Sequence, residues 1–84
     1  MANVEEEVKQ ILLSILDVKP EEIVPTATII DDLRATSIDL VEIVTAIQNQ
    51  FDVNISEEEA QKIRTVQDAV DLLKAAIAKK EGKA

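Results

Sequence analysis

The stretch TSIDLVEIVTAIQNQF, residues 36–51, carries a clear helical pattern. At about 100° per residue, its large apolar side chains fall on one stripe, which a helix turns toward a hydrophobic core. The stripe residues are Leu40, Ile43, Val44, Ile47 and Phe51. We therefore predict a helix over about 37–51 with this stripe in the core.

Two hydroxyl residues stand where this helix begins. Thr36 has the spacing of a capping box with Asp39, whereas Ser37 is followed three residues later by Leu40, which cannot complete one. If Thr36 is the cap, Ser37 occupies the first helical position with its hydroxyl free. Ser37 could instead be the cap, or a nucleophile, but the nearest basic residue in sequence is Arg34, which stays protonated. A third interpretation is a modification site, because a helix N-terminus stabilises a phosphate ester.

Ile38 and Val41 lie outside the core stripe of this helix. Exposed apolar residues are common singly, but two near a helix start suggest a docking spot. Asp39 and Glu42 give that spot an acidic rim. The alternative is that the long connection before the helix folds over Ile38 and covers it.

Three further helices are predicted. The first covers about 4–16, a short third lies within 55–63, and the fourth covers about 65–80. The expected N-caps are Asn3, Ser56 and Thr65. The residues of the fourth helix expected to face inward are Val66, Val70, Leu73 and Ile77.

A long connection separates the first two helices. Residues 17–35 contain Pro20 and Pro25 and no sustained hydrophobic period, although one helical turn is expected near PEEI, 20–23. The apolar residues expected to anchor the connection are Ile23, Ile29, Ile30 and Leu33.

The predicted fold is therefore all-α. It is a small four-helix bundle with a short third helix and a long loop between helices one and two. We expect a single domain over 1–84, with its core at about 4–78 and a frayed tail at 79–84. No strand pattern or internal repeat is present.

Composition excludes several functions. The 84 residues carry a net charge of −8, which argues against nucleic acid as a partner. There is no cysteine, no histidine and no apolar run of the roughly 20 residues that span a bilayer. Segment 52–63 lacks the turn glycine and terminal glutamate of a calcium loop, so no metal site is predicted. We expect a cytoplasmic protein without a membrane partner.

Residues 31–73, DDLRATSIDLVEIVTAIQNQFDVNISEEEAQKIRTVQDAVDLL, resemble the acyl carrier proteins. The attachment motif of that family typically reads Asp-Leu-Gly-Ala-Asp-Ser-Leu-Asp, and residues 32–39 here read DLRATSID. The resemblance extends over about 4–77 and includes VKPEEI at 18–23. It implies that Ser37 carries 4′-phosphopantetheine, delivered from coenzyme A by a separate magnesium-dependent phosphopantetheinyl transferase.

The resemblance also implies a function. The arm ends in a thiol that holds acyl groups as thioesters, and the carrier presents them to enzymes of fatty acid, polyketide or related biosynthesis. The chain itself is not an enzyme and has no catalytic residue, although it can shelter its cargo between its helices. The alternative is an unmodified helical adaptor that binds protein partners through its second helix.

Partner enzymes of the family dock on the second helix. The docking residues implied here are Ile38, Asp39, Val41, Glu42 and Thr45. The implied partners are acyl transferases, synthases or ligases with basic docking patches, and we expect the carrier to be a monomer.

The sequence departs from the family pattern at three places. Arg34 replaces the usual glycine, Thr36 replaces the usual aspartate, and QNQ at 48–50 stands where other members are typically rich in glutamate. Together these changes reduce the acidity of the docking face, which affects association rate and partner choice. We therefore predict a specialised carrier that serves a dedicated pathway.

Overall fold

The computed structural model describes residues 3–82, and it confirms the predicted all-α bundle. The helices are α1 (Val4–Ile15), α2 (Ser37–Phe51), α3 (Glu57–Ala60) and α4 (Val66–Glu81). A short 3₁₀ helix, Pro20–Glu22, forms the turn predicted in the long connection. Within residues 3–82 no helix is both long enough and apolar enough to cross a membrane.

Each α-helix begins at the side-chain cap predicted from the sequence. Asn3 caps α1 by accepting the Glu6 N–H at 3.2 Å. The other three helices begin with reciprocal capping boxes, in which a hydroxyl and a carboxylate each accept the other residue's backbone N–H. These pairs are Thr36 with Asp39, Ser56 with Glu59, and Thr65 with Asp68.

The core is built from aliphatic side chains, and no polar residue among those described is buried in it. α1 packs against both α2 and α4. Large side chains that are almost completely buried come from these helices and from the connection: Val8, Leu12, Ile29, Leu33, Ile43, Ile47 and Leu73. The central part of the predicted α2 stripe is buried, while Leu40 and Phe51 at its ends are half-buried. In α4, Ile77 is likewise half-buried, whereas the other three predicted inward residues are buried.

The connection between α1 and α2 is anchored by three of the four isoleucine and leucine residues predicted to do so. The buried anchors are Ile23, Ile29 and Leu33. The prediction was wrong for Ile30, whose side chain is 48% exposed. Ile29 and Ile30 are neighbours in a turn closed by the bond from the Asp32 N–H to the Thr28 carbonyl. Adjacent side chains in this turn point in different directions, and Ile29 is the one that enters the core.

The connection is also tied to the start of α4. Thr28 and Thr65 form an isolated antiparallel bridge. The Ile29 N–H donates to the Arg64 carbonyl at 2.8 Å, and the Val66 N–H donates to the carbonyl before Thr28 at 3.0 Å. These bonds satisfy backbone groups that a loose loop would leave to solvent.

The C-terminal end of the bundle is held by a lysine. α4 continues to Glu81, so it includes the first three residues of the segment expected to fray. The Lys80 ammonium donates to the Phe51 carbonyl at the end of α2, at 3.2 Å. The last two residues of that segment, 83 and 84, lie outside the described residues.

Candidate functional site

The start of α2 is capped by Thr36, as predicted. Thr36 has an extended backbone, and its hydroxyl accepts the Asp39 N–H at 3.1 Å. The Asp39 carboxylate accepts the Thr36 N–H at 3.0 Å. Because both halves of the box are present, Ser37 is not needed as a cap, and the interpretation of Ser37 as the cap is wrong.

Ser37 is the first residue of α2 and is exposed. Its hydroxyl forms no hydrogen bond within residues 3–82, which sets it apart from the two other serines of the chain. The Ser14 hydroxyl donates to the Ile11 carbonyl at 2.8 Å, and the Ser56 hydroxyl takes part in the cap of α3. Ser37 is thus the serine whose oxygen is both accessible and uncommitted.

Two backbone N–H groups beside Ser37 are also available. Within the described part of the chain, the N–H groups of Ser37 and Ile38 have no acceptor, whereas the Leu40 N–H donates to the Thr36 carbonyl at 3.0 Å. The first N–H groups of a helix point outward at its positive end and attract anions. The residues present therefore suit a phosphate ester on the Ser37 oxygen.

A groove of about 400 Å³ starts at Ser37 and runs between α2 and α3. Its apolar wall comes from Leu40, Val41 and Val44 on α2 and from Ile55 and Ala60 on the other side. Its volume lies in the range typical of small-molecule sites. The groove therefore offers an apolar surface that begins beside Ser37.

The end of the groove is fixed by Gln48. Its side-chain oxygen accepts the Ile55 N–H at 2.8 Å and thereby joins α2 to the segment before α3. The Gln50 amide donates to the Glu7 carboxylate of α1. From the sequence, these two amides are expected only to reduce the acidity of the surface. The structure shows that both have partners within the fold.

The predicted docking residues lie on one exposed face of α2, with one exception. Ile38 and Val41 are 72% and 64% exposed, so the alternative that the connection covers Ile38 is wrong. Glu42 and Thr45 are also exposed. Val41, Glu42 and Thr45 lie three, four and seven residues after Ile38, so all four residues share one face of α2. Asp39 is half-buried, because its carboxylate belongs to the capping box.

Arg34 lies just before this site in an unusual conformation. Its φ of 59° is in the left-handed region that favours glycine. Its guanidinium donates to the Asp32 carbonyl at 3.2 Å and pairs with the Glu22 carboxylate at 3.4 Å. The hydrogen bond from the Lys19 N–H is the main cause that lowers the pKa of Glu22, and the Arg34 guanidinium lowers it as well. This carboxylate is therefore charged at neutral pH. Sequence reasoning did not identify Glu22, because no local pattern links residues twelve positions apart.

The sequence matches a known family and known proteins over most of its length. Residues 6–73 match the family described as "Phosphopantetheine attachment site". The acyl carrier protein of Buchnera aphidicola subsp. Acyrthosiphon pisum (strain Tuc7) is 48% identical over 73 residues, which cover 87% of this chain and 91% of that protein. The acyl carrier protein of subsp. Schizaphis graminum (strain Sg) is 45% identical, with 87% and 92% covered.

A solved structure is similar as well. The acyl carrier protein from Enterococcus faecalis has a TM-score of 0.75 and 34% sequence identity, with 87% of this chain and 92% of that chain covered. The family match and the identities agree with the bundle and with the accessible serine at the start of α2. The chain belongs to the acyl carrier proteins: it is not an enzyme, and it carries acyl groups on a covalently attached 4′-phosphopantetheine arm.

Proposed function

We propose that Ser37 is the residue that carries the arm, on one acyl-carrier domain with its core at 4–78. The observation that carries this proposal is the exposed, unbonded Ser37 hydroxyl at the first position of α2. Thr36 supports it by capping the helix, so that modification of Ser37 breaks no bond of the fold. The free N–H groups of Ser37 and Ile38 support it by offering donors to a phosphate.

The chemistry of the carrier is divided between the chain and the arm. When bound, phosphopantetheine supplies the thiol on which acyl groups form thioesters, and the chain has no cysteine of its own. The chain contributes the Ser37 oxygen, the donors around it and the groove between α2 and α3. It contains no histidine, the commonest general base, and we propose that the transferase supplies the base that accepts the Ser37 proton.

The exposed face of α2 is the proposed surface for partner enzymes. Ile38 and Val41 offer apolar contact next to the attachment point, and Glu42 with Thr45 continues the same face. Partners with basic docking patches suit the acidic residues here and the net charge of −8. We propose a phosphopantetheinyl transferase and acyl transferases, synthases or ligases as these partners. We also propose a monomeric carrier in the cytoplasm.

The attachment residue can be tested by intact mass. Apo protein is incubated with coenzyme A, magnesium and a broad-specificity phosphopantetheinyl transferase. We expect one phosphopantetheine increment on the unaltered chain and on Ser14→Ala, and none on Ser37→Ala. An increment that persists in Ser37→Ala would contradict the proposal. No increment on the unaltered chain with several transferases would also argue against Ser37 as the attachment residue.

We further propose that the carrier serves a dedicated pathway of fatty acid, polyketide or related biosynthesis. Arg34 and Thr36 support this, because Arg34 adds a positive charge before Ser37 and Thr36 lacks the negative charge of the usual aspartate. Gln48 and Gln50 support it less, since both have partners within the fold. The test is loading of the modified carrier by a housekeeping malonyl-transferase. Loading as efficient as that of a glutamate-rich carrier would argue against specialisation.

A further inference from the structure

Arg34 is a positively charged residue in a backbone conformation that is unfavourable for any residue other than glycine. The residue lies three positions before Ser37 and has a φ of 59°. Side chains with a Cβ are disfavoured there, and glycine would adopt the same conformation without strain. Non-glycine residues held in this region concentrate at functional sites. The arginine therefore invites a functional explanation.

The guanidinium of Arg34 is held at the surface by two contacts. One is the Asp32 carbonyl at 3.2 Å, and the other is the Glu22 carboxylate at 3.4 Å. The Arg34 side chain is 61% exposed. Ion pairs this open to solvent are weak and exchange partners readily. Glu22 thus orients the guanidinium and compensates part of its charge, while leaving it open to a partner's carboxylate.

Arg34 is close enough to the attachment point to be covered by any enzyme that engages it. Three residues span at most about 10 Å between Cα atoms. That distance is comparable to the Debye length of about 8 Å at physiological ionic strength, and screening weakens further when a partner excludes water. Asp39 and Glu42 attract a basic patch, and Arg34 repels the part of that patch that lies opposite it.

We propose that Arg34 determines partner specificity. It disfavours enzymes whose docking patch is uniformly basic, and it favours enzymes that place a carboxylate opposite its guanidinium. The planar guanidinium can accept such a carboxylate in a two-bond geometry that a lysine does not offer. This proposal rests on the proposed function of Ser37 as the attachment residue.

The test uses the full chain in its phosphopantetheinylated form and a housekeeping malonyl-transferase with a basic docking patch. The measured quantity is kcat/KM for malonyl transfer at low and high salt. Arg34→Gln should raise it about two- to fivefold at low salt, the effect of one exposed charge pair. Arg34→Glu should raise it further, and both gains should shrink at high salt. Glu22→Gln should lower kcat/KM, because the positive charge of the Arg34 guanidinium then has no carboxylate beside it. The glutamine side chain still offers an acceptor to the Lys19 N–H.

Lys74→Gln is the matched control. It makes the same change in net charge on the exposed surface of α4, and it should leave kcat/KM near that of the unaltered carrier. Equal effects of Arg34→Gln and Lys74→Gln would overturn the proposal, as would no effect of Arg34→Gln. Far-UV circular dichroism reports whether each variant is folded. If Arg34→Glu does not fold, the comparison with the unaltered carrier uses Arg34→Gln alone. Intact mass before the assay reports modification of Ser37 separately, so failure of the proposed function is recognised on its own.

Discussion

Thr36 and Ser37 are neighbours with separate tasks. The Thr36 hydroxyl accepts the Asp39 N–H, and this leaves the Ser37 hydroxyl without a structural duty. The family resemblance places an aspartate at the Thr36 position, and an aspartate can cap a helix in the same way. The replacement therefore keeps the cap and removes one negative charge.

The first prediction at the residue scale concerns Thr36. Thr36→Ala should lower the free energy of unfolding by about 1 kcal/mol, because the Asp39 N–H loses its acceptor. Thr36→Ser keeps the hydroxyl and should lie within a few tenths of a kcal/mol of the unaltered chain. Urea unfolding followed by circular dichroism measures both. Equal stability of the alanine and serine variants would show that the cap contributes nothing.

The second prediction at this scale concerns the backbone of Arg34. Both Arg34→Gly and Arg34→Ala remove the ion pair with Glu22, but only glycine relieves the left-handed strain. Relief of about 1–2 kcal/mol is partly offset by the greater freedom of glycine in the unfolded chain. The glycine variant should therefore be about 0.5–1 kcal/mol more stable than the alanine variant. Urea midpoints that fall in the reverse order would argue that the conformation carries no strain.

At the scale of elements, the helices could be predicted because their signals are local. The hydroxyl residue and the carboxylate of each capping box lie three residues apart, as Thr65 and Asp68 do, and their backbone bonds need nothing else in the fold. Ser37 could be identified for the same reason, since the cap spacing of Thr36 left it free. The family motif then led to the proposal that Ser37 carries the arm.

Contacts between distant parts of the chain could not be predicted in this way. The bond from the Ile55 N–H to the Gln48 side-chain oxygen and the bond from the Lys80 ammonium to the Phe51 carbonyl depend on how the elements pack. The burial of Ile29 instead of Ile30 depends on the direction of a turn. Hydrophobicity is the same for the two isoleucines, so composition alone cannot separate them.

The prediction at the element scale concerns Gln48. Gln48→Ala leaves the part-buried Ile55 N–H without its acceptor and should destabilise the fold by about 1 kcal/mol. Gln48→Glu keeps an acceptor in place and should be nearly neutral. Asn49→Ala is the surface control, since Asn49 is exposed beside it on α2. If the urea midpoints of Gln48→Ala and Asn49→Ala agree, the bond does not hold α2 to the segment before α3.

For the whole molecule, lowering the pH reduces solubility and stability through different groups and mechanisms. The net charge of −8 falls toward zero near the pI of about 4.4, where repulsion between molecules is lost. Among the carboxylates that accept a backbone N–H at a helix start, three have pKa values that these bonds lower. These carboxylates are Glu22, Glu59 and Asp68.

The prediction at this scale is the pH dependence of one such carboxylate. Hydrogen bonds from two backbone N–H groups lower the pKa of Asp68 below its ordinary value of 3.8. The bond from Thr65 has the larger effect, and the bond from Arg64 has the next largest. A carboxylate whose pKa is lower in the folded chain than in the unfolded chain stabilises the fold. The stabilisation is complete at pH values above the unfolded-state pKa, and it is lost as the pH falls through the folded-state pKa. The stability difference between the unaltered chain and Asp68→Asn should be constant above about pH 5 and shrink below about pH 4.

This comparison should be made by urea unfolding at constant ionic strength and low protein concentration. The difference between the two proteins is the useful quantity, because the changing net charge affects both alike. A difference that stays the same down to pH 3 would show that the Asp68 carboxylate does not hold the start of α4 through its charge.

The bridge between Thr28 and Thr65 has a consequence for cargo length. It ties together the two ends of the segment that contains α2 and α3, while α3 itself has no buried residue. We therefore expect the groove beside α3 to widen for a longer acyl chain while the bridged ends of this segment stay in place. Amide hydrogen exchange should then be faster at Ala60 and Gln61, whose N–H groups donate to the Ser56 and Glu57 carbonyls, than at Ile29 and Val66, and equal rates would argue against a more mobile α3.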